Sequence, residues 1–196
     1  MNTTNDARWW RTQGPDRYEE FKSWLGDKNV ISRTTVRDHI LGQKYKSLLD
    51  VACGPAIDFE AYEDKIDYTG LDMTKEFLDK APEGMTKVVG SIEDIPLKNN
   101  YADVVVARAI LEHLDYYEKA IDECIRCAAK EVIVVFYKKP DVEDILIQMD
   151  EGFWDNIYSK KEFEKYVKKN KKVKSVKWQS VNDPVECNTI CYIKLK

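Results

Sequence analysis

The sequence predicts an α/β fold: a doubly wound, mostly parallel seven-stranded sheet that closes with an antiparallel C-terminal hairpin. Three observations predict it. Five apolar, β-branched runs alternate with stretches of helical spacing up to Tyr137, the pattern of strand-helix-strand units with a parallel sheet. The last of these runs, "EVIVVFY", is apolar almost without interruption, as a parallel strand covered on both faces is. Beyond it, "KVKSVKWQSV" and "NTICYIKLK" alternate with no helix between them, which makes them a hairpin at the sheet's edge, turning through "NDPVEC".

Near the N-terminus, Pro15 and Gly26 bracket a stretch in which Tyr18, Phe21, Trp24 and Leu25 share one stripe, an amphipathic helix. A second helix is expected from Thr34 to about Gly42, with Ser32 as its cap. "SLLDVA" (Ser47 to Ala52) reads as the first strand and leads to a helix near Ala56 to Asp64. "DYTGLD" (Asp67 to Asp72) is the second strand and leads to a helix from Thr74 to Ala81. "TKVVG" is a short third strand, and "ADVVVARA" is the fourth, entered from the turn-like "LKNNY". Ile121, Cys124, Ile125 and Ala128 give Tyr116 to Ala129 the spacing of a helix. Ser159 with Glu162 three residues later is a capping box, so a helix is expected to start at Lys160. No linker or repeat divides the chain. The expectation is one domain, 1–196, with 1–45 a helical lid segment and 46–196 a ligand-binding core.

Composition limits the function. With 43% hydrophobic and 34% charged residues and no apolar run of membrane-spanning length, the chain is expected to be soluble and cytoplasmic, without a membrane partner. "MNTTNDARWW" carries an acid and no apolar core, unlike a signal peptide. A formal charge of -4 argues against a protein that wraps nucleic acid. The lysines between Lys160 and Lys177 are diluted by Glu162 and Glu164 and read as a solvated face. The five cysteines are expected to be reduced thiols. Cys124 and Cys127 fall in a helical pattern and Cys187 and Cys191 on a strand, so no metal site is expected.

The chain turns sharply at Cys53-Gly54-Pro55, between the first strand and the next helix. In a doubly wound sheet the ligand lies outside the carboxyl ends of the strands, and this first turn is where backbone approaches it. Gly54 permits that approach, and Asp72, ending the second strand, is placed to accept hydrogen bonds from the two hydroxyls of a ribose. The turn has one glycine in place of the three of GxGxxG, so it supports a pyrophosphate poorly and a nucleoside without phosphates fits better. Taken singly, Asp50 also reads as a loop partner and Asp72 as a helix cap.

"LLDVACGPA", "YTGLDMTKEFLDKA" and "VVGSIEDIPLKNNYADVVVARAILEHL" resemble, in order and spacing, the motifs of the class I S-adenosylmethionine-dependent methyltransferases, the type 11 group in particular. The resemblance runs from about Ser47 to Tyr137 and implies a Rossmann-like methyltransferase fold with S-adenosylmethionine as cofactor. It implies that Asp50 and the backbone at Ala52 and Gly54 hold the amino acid end of the cofactor, that Asp72 binds the ribose, and that Met73 flanks the adenine. Ser91 and Ile92 correspond to contacts at the adenine edge, and Arg108 to a backbone contact beside the methionine portion. Ala52 and Ala56 stand where the family has glycines, and Ser91 where it commonly has an aspartate. Arg33 is a further candidate, a bidentate partner for the cofactor's carboxylate; its plain alternative is a surface arginine.

His113, in "LEHL", falls near the mouth of the site that the resemblance implies. Its ordinary pKa suits a general base toward an oxygen or nitrogen nucleophile. A loop-supporting histidine is the competing reading, and Glu112 is equally open. The stretch after the fourth strand is "ARAI", not NPPY-like, and a Pro-Cys pair is missing, which leaves a small-molecule acceptor rather than a nucleobase. Trp9, Trp10, Tyr18, Phe21 and Trp24, with "EGFWDNIYS" (Glu151 to Ser159), are expected to shape its pocket or to pack as core. Two rival functions remain at this stage: a non-catalytic S-adenosylmethionine-binding module and a nicotinamide-dependent oxidoreductase. Oligomeric state is not legible.

Overall fold

Residues 30–149, 153–182 and 189–196 are described by the structure, a computed structural model. The amphipathic helix expected between Pro15 and Gly26, the turn "NDPVEC" beyond Asn182, Cys187 included, and Glu151 and Gly152 lie outside these residues. In chain order the elements are α1 (Ile31–Gly42), β1 (Ser47–Val51), α2 (Phe59–Tyr62), β2 (Asp67–Asp72), α3 (Lys75–Lys80), β3 (Thr86–Val89), β4 (Ala102–Arg108), a 3-10 turn (Leu111–His113), α4 (Glu118–Cys127), β5 (Ala128–Phe136), α5 (Lys160–Val167), β6 (Val173–Ser180) and β7 (Thr189–Leu195). The strands form one seven-stranded sheet in the order β3-β2-β1-β4-β5-β7-β6. The first five pair in parallel, and β7 pairs antiparallel with both β5 and β6. Strand order reverses between β1 and β4, which opens a crevice at their carboxyl ends.

The two-residue period of the strands sorts their side chains into two cores. Leu49, Val51, Val105, Ala107, Val132, Val134, Cys191 and Ile193 meet α4 through Ile121 and Ile125 and α5 through Phe163 and Val167. Leu48, Val104, Val106, Ile133, Val135, Ile190 and Tyr192 meet α1 through Val36 and Ile40, with Phe59 and Tyr62 beside them. Phe163 is fully buried between Tyr117, Phe136 and Trp178, with ring centroids at 5.0, 5.4 and 5.8 Å. Burying one such ring stabilises by roughly 1.5–3 kcal/mol, and each well-oriented aromatic pair adds roughly 0.5–1.5 kcal/mol. α5 starts as its capping box predicts, with the Ser159 hydroxyl accepting from the Glu162 amide at 3.3 Å.

Three boundaries differ from the sequence reading. α1 starts at Ile31, so Ser32 is a buried residue of its first turn and not its cap. The helix expected from Ala56 to Asp64 is reduced to the four residues of α2. Ala52, Gly54 and Ala56 have φ of 55°, 54° and 51°, and a chain that visits the left-handed region at every second residue cannot propagate a helix there. α4 stops at Cys127 and β5 begins at Ala128, three residues before the apolar run, because Ala128 pairs with Ala102.

The hairpin lies at the sheet's edge as expected, with β7 inside the sheet and β6 outermost. All but one residue of β7 is buried, while every position of β6 is half-buried or exposed, so the more apolar strand takes the doubly paired place.

A buried polar cluster ties α1 to the sheet. Glu131 of β5 receives His39 Nε2 and the Tyr45 hydroxyl, both at 2.8 Å on Oε2, with Lys194 Nζ 3.2 Å from Oε1. Burial pushes the Glu131 carboxyl up, but the bonds from His39 and Tyr45 and the charges of His39 and Lys194 outweigh it and hold the group below the usual carboxylate range. The bonds on Oε2 tie the helix that carries Arg33 to β5, while Oε1 meets Lys194 as an ion pair only.

Candidate functional site

Asp50 is two residues beyond Leu48, and Arg108 two beyond Val106, so both side chains emerge on the face that α1 covers. Asp50 is buried, and the Tyr68 hydroxyl donates to its Oδ2. Burial and the neighbouring Asp58 carboxylate push Asp50 up to about 7, against the opposing pull of Tyr68, Arg108 and Arg33.

After β1 the chain folds into the triple left-handed turn. Alanine at φ near 50° carries strain that glycine lacks, so Ala52 and Ala56 keep the turn's geometry at an energetic cost. Cys53 N bonds to Leu71 O at 3.0 Å, stitching the turn to β2. Asp72, at the end of β2, accepts from Gly54 N on Oδ2 and from Thr74 N on Oδ1, both at 2.8 Å. Burial raises its pKa while these amides oppose the rise. Met73 follows half-buried, and Asp72 acts as a brace between the two strand ends as well as a candidate ligand.

Gly90 follows β3, packed so closely that a Cβ there would lie 2.6 Å from Pro96 Cδ. The Ser91 hydroxyl accepts from Glu93 N at 3.1 Å, a local turn bond. Ile92 is buried in the core, so its side chain is a packing residue and only its backbone is left to face a ligand.

On the α1 side, Arg33 is not a surface arginine: it is buried, and its Nη1 lies 2.5 Å from Asp58 Oδ2. Arg108 Nη1 donates to Ser32 Oγ at 3.1 Å, and its Nε lies 3.6 Å from the same Asp58 oxygen. Asp58 is the residue that sequence reading missed, hidden in the expected helix. A cavity of about 230 Å³ opens beside the Arg33–Asp58 pair and is lined also by Arg37 and Tyr62.

His113 sits where β4 and β5 end. Its Nδ1 lies 2.9 Å from Trp154 O, and a carbonyl can only accept, so Nδ1 carries the proton and Nε2 the lone pair. The ring stacks on Tyr137 at 5.4 Å and meets the edge of Phe153 at 6.2 Å. Burial lowers its pKa, against the pull of Trp154 O and Asp155. Tyr137 donates its hydroxyl to Asp155, which also pairs with Lys138 at 2.5 Å.

The neighbouring Glu112 is buried, and its Oε1 accepts from Tyr137 N at 2.8 Å and Lys138 N at 3.3 Å. Its backbone carbonyl accepts from Asn156 N at 2.8 Å. Burial pushes the Glu112 carboxyl up to about 8, so this group is a neutral tie between the two strand ends at neutral pH.

Residues 49–136 match a family model described as a methyltransferase domain. Over that segment the chain is similar to a methyltransferase domain, consistent with the class I S-adenosylmethionine-dependent methyltransferases. The match selects a methyltransferase over the nicotinamide-dependent alternative, and S-adenosylmethionine is the cofactor of this enzyme.

No curated protein matches the chain. Among solved structures, the methyltransferase is similar to the 1,6-didemethyltoxoflavin-N1-methyltransferase of Burkholderia thailandensis, at 14% identity and a TM-score of 0.76 over 100% of this chain and 92% of that one. It is similar to Streptomyces venezuelae DesVI at 15% identity and a TM-score of 0.70, covering 94% and 99%. A possible histamine N-methyltransferase of Thermotoga maritima gives 13% identity and a TM-score of 0.63, covering 93% and 98%. At such identities these likenesses establish the fold.

The donor set of the methyltransferase suits its cofactor. Arg108 Nε is buried without a hydrogen-bond partner, and two guanidinium groups converge on one Asp58 oxygen, which leaves room for a second anion such as a carboxylate. Among the described residues no His/Cys/Asp/Glu group is arranged to hold a metal, and no helix is long and apolar enough to cross a membrane. Cys124, Cys127 and Cys191 are buried free thiols.

Proposed function

We propose that this methyltransferase transfers the methyl group of S-adenosylmethionine to an oxygen or nitrogen of a small-molecule acceptor, with His113 as the proton acceptor. The observation that carries the proposal is the His113–Trp154 contact at the carboxyl edge of the sheet, which fixes the proton on Nδ1 and so makes Nε2 the basic nitrogen of the ring. Burial keeps the ring neutral near pH 7, the form a base requires. Tyr137 and Phe153 hold the imidazole by stacking and edge contact, which supports a fixed direction for Nε2. The Burkholderia enzyme of the same fold is named for methylation of a small heteroaromatic nitrogen compound, which favours an acceptor of that size.

The cofactor supplies a methyl carbon on a positively charged sulfur, so aligning an acceptor lone pair with that carbon accounts for much of the acceleration. The chain's own residues would orient it. Asp72 would accept from the ribose hydroxyls, Met73 would flank the adenine, and Ser91 and the Ile92 backbone would meet the adenine edge. Asp50 and the backbone of Ala52, Gly54 and Arg108 would take the amino acid end, with Arg33 at its carboxylate. Residues 1–45 would close over this crevice as a lid within a single domain, excluding water from the acceptor. The chain would work in the cytoplasm on a soluble metabolite-sized acceptor, with no nucleic-acid partner.

Incubating the protein and methyl-labelled S-adenosylmethionine with a cell extract, then reading small molecules, nucleic acids and proteins separately by mass spectrometry, tests the proposal. Label is expected in a small molecule, on oxygen or nitrogen. Label found only in nucleic acid or protein would remove the small-molecule acceptor.

A further inference from the structure

Between β5 and α5 the chain leaves the sheet as an arm. Its outer strand, 145–149, is tied to an inner strand, 153–157. Ile145 and Ile157 exchange backbone bonds at 2.8 and 2.9 Å, Asp155 N donates to Ile147 O at 2.9 Å, and Met149 N donates to Phe153 O at 2.8 Å. The inner strand meets His113 and Glu112 through Trp154 O and Asn156 N. The outer side is different: every residue from Asp141 to Gln148 is exposed, Val142 at 80%, Ile145 at 44% and Leu146 at 45%. Aliphatic side chains held outward on a hydrogen-bonded backbone mark a surface that another molecule covers.

Charge says what that molecule is. From Asp141 to Ser159 the sequence has six acids and neither lysine nor arginine. The Asp141 and Asp144 carboxylates accept from the amides of Val142 and Ser159, and among the described residues neither they nor Glu143 form an ion pair. Lys160 to Lys177 reverse the sign, with nine lysines against two glutamates. Glu162 and Glu164 are already paired with Lys165 and Lys168 at 2.9 and 2.5 Å. Lys161, Lys171, Lys174 and Lys177 stay exposed, with no ion pair among the described residues. The two surfaces abut, since Lys160 N donates to Asp141 O at 3.2 Å and the Ser159 hydroxyl to Val142 O at 2.9 Å.

We infer that a second copy of this chain covers the arm, the aliphatic and acidic arm of each copy lying on the lysine-rich α5 face of the other. A two-fold dimer needs a surface complementary to itself. An acidic half beside a basic half meets that need, because turning the partner sets each half on its opposite. Lysines suit both kinds of arm residue, their methylene stems covering aliphatic groups while the ammonium heads reach carboxylates. α5 exposes no large apolar side chain of its own, so these stems are the apolar surface it offers. A partner seated on the outer strand also braces the inner one, which holds His113 through Trp154 O.

Sedimentation equilibrium of the full chain tests the dimer. Wild type is expected to dimerise at micromolar concentration, with a dissociation constant that rises about tenfold or more between about 0.05 and 0.5 M salt. Leu146→Ser, Glu143→Lys and Lys161→Glu, all at exposed positions, are each expected to weaken the dimer by about tenfold, and a thermal melt reports the fold of each. An equimolar mixture of Glu143→Lys and Lys161→Glu is expected to recover wild-type association, because opposite charges then face each other in both halves of the mixed dimer. A wild-type monomer at about 100 µM, a dimer indifferent to all three substitutions, or a mixture that fails to recover would overturn the inference. In such a monomer, a carbodiimide cross-link from Glu143 to Lys22 or Lys28 would give the arm to residues 1–29 instead.

Discussion

Asp72→Ala is expected to weaken S-adenosylhomocysteine binding by about ten- to a hundredfold, roughly 1.5–3 kcal/mol. Two losses combine. The variant removes the carboxylate proposed to accept from both ribose hydroxyls. It also removes the acceptor of Gly54 N and Thr74 N, so the turn after β1 loses its brace to the end of β2. Asp72→Asn separates these losses, because an amide oxygen still accepts one bond and keeps the side chain's shape. Its affinity is expected to fall between those of wild type and Asp72→Ala. Calorimetry measures all three, and an unchanged dissociation constant in folded Asp72→Ala would remove Asp72 from the cofactor site.

His113→Ala is expected to lower turnover by about a hundredfold while S-adenosylhomocysteine affinity stays nearly constant, since general-base catalysis contributes on this order. The pH dependence gives the sign. A base must be neutral, and burial lowers the His113 pKa from its ordinary value of about 6.5. Wild-type activity is therefore retained at pH 7 and lost as pH falls through that lowered pKa. The variant's residual activity is expected to lack this acidic limb. With the labelled acceptor in hand, turnover against pH in both proteins decides the matter, and an acidic limb that survives in His113→Ala would assign it to another group. Loss of thermal stability with turnover intact would leave His113 as a support for the loop through Trp154 and Tyr137.

Local patterns made the architecture readable. β1, β2, β4 and β5 are apolar runs flanked by turns, and their alternation with helical stretches implies a parallel sheet. Asp72 was legible because its place depends on one strand end and one turn. Asp58 was not: its place depends on a left-handed turn that cuts the expected helix back to four residues, and two of the turn's three left-handed residues are alanines that carry no turn signal. The Arg33–Asp58–Arg108 cluster needs the parity of β4 and the docking of α1, which residues far apart in sequence decide together. The same holds for Glu112, whose carboxyl meets the exit of β5, twenty-five residues away. A signal for the order of the hairpin was present in retrospect, since "TICYIKL" is far more apolar than "VKSVKWQS" and suits the inner position.

The central claim is that the cofactor lies across the carboxyl ends of β1 and β2, with the segment that precedes β1 closing over it. Amide hydrogen exchange with and without S-adenosylhomocysteine tests both parts in one measurement. The account predicts slower exchange at residues 52–56 and 72–74 and from Tyr18 to Gly42 when the ligand is present. Protection at the two turns alone would remove the lid, and protection confined to the β6–β7 hairpin, or none anywhere, would contradict the placement of the cofactor itself.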